Sequence, residues 1–74
     1  MACIDADGTL TPMGFLLLKG LAEQSMPPED IAKHLGEPLF RVRGSLRELV
    51  GAGFIDEDGG LFRLTEAGQG KLQG

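Results

Sequence analysis

Apolar side chains recur at Phe15, Leu17, Leu18, Leu21 and Ala22, the spacing of one broad helical face. Thr11-Pro12 stands just before them. Threonine is a strong N-cap, and proline suits the first helical position, where its missing N–H would have no partner anyway. A first helix is therefore predicted from this pair, ending at Ser25-Met26-Pro27-Pro28. A second, from about Pro28 to Leu35, turns Ile31, Ala32 and Leu35 to the core, with Glu29 and Asp30 at the positive end of its dipole. Gly36 breaks it and Pro38 restarts a helix, the short glycine-containing turn of a helix-turn-helix. In the third, from about Pro38 to Val50, Leu39, Val42, Leu46 and Leu49 share one sector; Gly51-Ala52-Gly53 stops it.

The period then changes. Phe54-Ile55 and Leu61-Phe62-Arg63-Leu64 flank Asp56-Glu57-Asp58-Gly59-Gly60, which predicts a hairpin with an acidic tip. Thr65 and Glu66 open a last, weak helix holding Ala67, Gly68, Gly70 and Leu72. A faint echo links IDADGTL–TPMG near the start to IDEDGGL–LTEAG near the end, each an acidic glycine turn before a Thr-initiated helix. By that echo Ala2 to Asp5 forms a strand that adds to the hairpin. The order implies one small α+β domain over residues 1–74: a winged helix-turn-helix with a three-helix core, a two- or three-stranded antiparallel wing sheet and a short C-terminal helix.

Size and composition narrow the function. With 42% hydrophobic and 24% charged residues the chain has the make-up of a soluble globular domain. At 74 residues it buries only about 60% of its unfolded surface, leaving no room for a catalytic domain beside a binding one. No apolar run approaches the roughly 18 residues of a bilayer span, so no membrane partner is expected. MACIDADG lacks the basic-then-apolar order of a signal peptide. One cysteine, Cys3, excludes an internal disulfide, and a reducing cytoplasm is the natural compartment.

These pieces together resemble winged helix-turn-helix regulators of the MarR, ArsR and PadR kind. The resemblance is carried by LTPMGFLLLKGLAE (10–23), IAKHLG (31–36), the series Leu46, Leu49, Gly53, Phe54, Ile55, and LTEAG (64–68). It covers nearly the whole chain and implies a third helix that enters the DNA major groove.

Charge focuses attention on that helix. The net charge is −4, but Arg41, Arg43 and Arg47 against Glu48 give +2 between Pro38 and Ala52, leaving −6 elsewhere. At 100° per residue, with Val42 inward, Phe40, Gly44, Arg47 and Gly51 point outward, and Arg41 and Arg43 fall on opposite flanks. Guanidinium groups suit guanine O6 and N7 or phosphate oxygens. The expected function is a small DNA-binding regulator using Arg41, Arg43, Gly44, Arg47 and Arg63, with Arg43 and Arg47 gripping or reading DNA. Binding to double-stranded DNA should be weak for a monomer, with a log–log salt slope of roughly −3 to −4. Useful specificity would need a homodimer, an array or a DNA-binding partner. The alternative is a protein-interaction module that anchors on Phe40, Gly44 and Arg47. Acidic balance, the acidic wing tip and an outward Phe40 favour it.

Other motifs carry less. Asp5-Ala6-Asp7-Gly8-Thr9-Leu10 matches the DxDGT signature of haloacid-dehalogenase-type phosphatases, without a preceding buried strand or a later Asp-Asp pair. Asp56 and Asp58 hold neither glycine nor glutamate at the spacing of a calcium loop. His34 reads as a surface helical position beside Lys33. No enzyme, metal site or cofactor is expected.

Overall fold

The computed structural model describes residue 4 and residues 9–73, and the order of elements is α1 (Pro12–Glu23), α2 (Pro28–Leu35), α3 (Leu39–Ala52), β1 (Ile55–Asp58), β2 (Leu61–Leu64) and α4 (Glu66–Gln73). The fold is a small α+β winged helix. Thr11 caps α1 by accepting the Gly14 N–H at 3.2 Å. Thr65 caps α4 in the same way, accepting the Gly68 N–H at 3.1 Å, and its hydroxyl also donates to the Gly53 carbonyl at 2.6 Å. The echo between the two ends of the chain is thus a shared capping solution.

Leu17, Leu18 and Leu21 of α1, Met26, Ile31 of α2, Val42, Leu46 and Leu49 of α3, and Ile55 of β1 form one buried core. Burial of such side chains contributes about 1.5–3 kcal/mol each, so nine of them carry most of what holds a chain this short. Gly36 closes α2 in a left-handed conformation (φ 69°, ψ 30°), which sets α3 against α2 after a three-residue turn. The third helix runs past Val50 to Ala52, because Gly53 (φ 85°) provides its left-handed cap and donates to the Leu49 and Val50 carbonyls.

One expectation about the sheet is corrected. Asp56, Glu57 and Asp58 are strand residues of β1, not a turn; their partners are Arg63, Phe62 and Leu61. The turn is only Gly59-Gly60, with φ of 60° and 86°. A two-residue loop with both φ positive matches the twist of the strands, and the glycine pair outweighs the low strand preference of the acids. Among the described residues the sheet has two strands, the smaller of the two forms expected. Of the N-terminal segment expected to extend it, Ala2, Cys3 and Asp5 lie outside the described residues. Ile4 pairs with Leu10 instead of the hairpin, and its N–H donates to Glu48 Oε1 at 3.1 Å. The hairpin's neighbour is Met26, in the α1–α2 connection. Its N–H donates to the Phe62 carbonyl at 3.1 Å, and the Phe62 N–H returns a bond to Met26 at 2.8 Å.

Candidate nucleic-acid interface

Burial of Val42, Ser45, Leu46 and Leu49 fixes the rotation of α3 and turns Phe40, Gly44 and Arg47 to solvent. Phe40 is 73% exposed, which removes it from the core. The flanks differ. On one side Arg41 lies 3.9 Å from Glu37, one turn earlier, and its guanidinium is 5.9 Å from the centre of the Phe40 ring. Glu48, on the same flank, holds the Ile4 N–H. On the other side Arg43 and Arg47 border a groove between α3 and the hairpin. Its volume is about 600 Å³, and Pro27, Leu46, Val50 and Phe62 line it together with Glu29 and Glu57.

The five residues expected to contact DNA are therefore not one surface. Arg43, Gly44 and Arg47 form a continuous exposed strip on α3. Among the described residues neither arginine makes an ion pair. Arg41 is on the far flank and engaged by Glu37. Arg63 belongs to the other face of the hairpin: strand side chains alternate, and its register partner is Asp56, 3.7 Å away. The face turned toward α3 carries Ile55, Glu57, Phe62 and Leu64 instead. Glu57 across the groove from two arginines was hidden from sequence reasoning because it depends on β1 reaching Asp58. Once the turn is restricted to the glycine pair, alternation alone finds it.

Gly44 adds an independent observation. A methyl group at this position would meet nothing within 4 Å, so internal packing does not require glycine there. Glycine inside a helix is about 0.5–1 kcal/mol less favourable than alanine. Gly20 is a contrast, since a Cβ there would come within 2.9 Å of the His34 ring. That exposed imidazole lies over α1, at the surface position its place in α2 suggested. Among the described residues no group of three or more His, Cys, Asp or Glu could hold a metal ion.

Fold and strip together define a winged-helix domain with a cationic, sterically open third helix. No family model and no curated protein matches the chain. Among solved structures, that of PigF with SAH matches with a TM-score of 0.69 and 24% identity, over 77% of this chain and 17% of that one. The likeness is one of fold, and the chain spans about a sixth of the length of PigF. No described helix is long and apolar enough to cross a membrane.

Proposed function

We propose that the domain is a DNA-binding winged helix of the regulator type, with α3 in the major groove. The single observation that carries the reading is the Arg43–Gly44–Arg47 strip. Its two guanidinium groups stand one helical turn apart without an acidic partner, and the glycine between them leaves room for a close approach. Arg43 and Arg47 take guanine edges or phosphates, and Arg41 adds a flanking phosphate contact. Arg63 stays outside, because the hairpin turns it away from α3. Glu57 opposes phosphates on the groove side, so affinity depends on α3 rather than on the wing. With three cations engaged, the log–log salt slope should be about −3.

An amide-resolved NMR titration with a mixed-sequence duplex tests this. Shifts confined to Leu39–Ala52 at low salt, fading at moderate salt, support the reading. Shifts centred on Arg63 and the outer hairpin face, or none at any salt, overturn it.

One observation favours a second reading. Among the described residues Phe40 is the most exposed large apolar side chain. A protein-contact module anchored on Phe40 would bind its partner with little salt dependence. It would lose that partner in Phe40→Ala while keeping its fold.

A further inference from the structure

Phe40 is the residue that the arginine strip leaves unexplained. Its ring is 73% exposed in the first turn of α3, yet it is not loose: Arg41 stacks toward it and is itself drawn back by Glu37. The residues three and four positions from it are Gly36 and Glu37, just before α3, and Arg43 and Gly44 within it, all polar or small. The other exposed large apolar side chains among the described residues belong to other elements, Phe15 and Leu16 to α1, Val50 to the groove end of α3 and Leu61 to the outer hairpin face. A protein hot spot needs surrounding contacts that exclude water, and a lone aromatic ring ringed by charge does not provide them. A single methyl group set among phosphates does fit it.

We propose that Phe40 reads the C5-methyl of a thymine, giving the domain a composite recognition code in which Phe40 and Arg47 mark the two ends of the contacted site. The proposal rests on the DNA-binding reading above. In the major groove thymine is the base that presents a methyl group, and apolar side chains meet it there, whereas arginine pairs with guanine. The N-terminal residues of a recognition helix are those that reach base edges, and Phe40 is the second residue of α3. From Phe40 to Arg47 the helix rises about 10 Å, or roughly three base-pair steps. Phe40, Gly44 and Arg47 share one outward stripe, so the helix backbone at Gly44 lies between the two readers. The code is therefore a thymine and a guanine about three base pairs apart, with Arg43 on the wing-side flank to grip the intervening phosphate or a second guanine.

The test uses the full chain and duplexes selected by it from a randomised pool. In the enriched sequence each thymine is replaced singly by uracil, which pairs identically and lacks only the methyl. At one position the wild type should bind roughly fourfold more weakly after the swap. Phe40→Ala should be weaker on the thymine duplex and indifferent to the swap, and Phe40→Leu should keep part of the sensitivity. Equal wild-type affinity for thymine and uracil at every position overturns the thymine assignment while leaving DNA binding intact. So does a Phe40→Ala variant with the full methyl sensitivity. If no sequence is enriched and binding ignores Arg43→Ala with Arg47→Ala, the DNA reading itself falls and this code with it. Salt-insensitive protein capture lost in Phe40→Ala would then assign the ring to a partner surface.

Discussion

Gly44 of α3 and Gly68 of α4 both sit inside helices, and an added methyl group would meet opposite surroundings at the two. At Gly44 it would enter open space. At Gly68 it would run into the Phe54 carbonyl oxygen and come within 2.7 Å of Leu64 Cδ1. The α4 glycine is a packing requirement: the buried backbone at Gly68 is what lets the last helix close over the end of the hairpin. The α3 glycine answers to no internal neighbour. Residues 53–68 are therefore arranged by the fold, whereas the outer side of α3 is open to selection for something outside the molecule.

The comparison can be broken at either end. The largest effect should come from Arg43→Ala combined with Arg47→Ala. With about 1–3 kcal/mol for each contact, DNA affinity by fluorescence anisotropy at low salt should fall at least about thirtyfold, at an unchanged melting temperature. An unchanged affinity would remove α3 as the contact surface. Next, Gly68→Ala should destabilise by roughly 1–3 kcal/mol. For a domain of this size that lowers the calorimetric Tm by about 10 °C; a wild-type Tm would mean that α4 is not packed as described. Gly44→Ala should do the reverse, raising stability by about 0.5–1 kcal/mol while weakening DNA binding. Stabilisation without loss of binding would show that the open space has no use. The smallest effect belongs to Arg63→Ala: its ion pair with Asp56 is exposed on both sides and worth about 0–1 kcal/mol. A loss of DNA affinity in this variant comparable to that of Arg47→Ala would bring the outer hairpin face into the interface.

Most of the fold was legible because its signals are local. Thr11-Pro12, Gly36 and Thr65 each act within one turn of chain, and the apolar spacing of α1 to α3 needs only helical periodicity. Two things were not local. That Asp56, Glu57 and Asp58 are strand residues follows from pairing with Leu61–Arg63 across the loop, where the twist-matched glycine pair decides against local preference. The role of Met26 depends on a contact 36 residues away, with nothing but a methionine before a proline to announce it. The candidate site divides along the same line. Arg43, Gly44, Arg47 and the exposure of Phe40 follow from one helical wheel. The separation of Arg63 from them, and the arrival of Glu57 opposite them, require strand register.

The reciprocal bonds between Met26 and Phe62 have a consequence for motion. Both amides are consumed by each other's carbonyls, so neither can exchange its hydrogen with solvent unless the hairpin lifts off the α1–α2 connection. Met26 is itself a core residue, and lifting it opens the centre of the domain. Hydrogen–deuterium exchange at these two positions should therefore track global unfolding rather than a local flutter of the hairpin. A wing clamped in this way keeps its angle to α3 before any ligand arrives, and little conformational freedom is left for binding to remove.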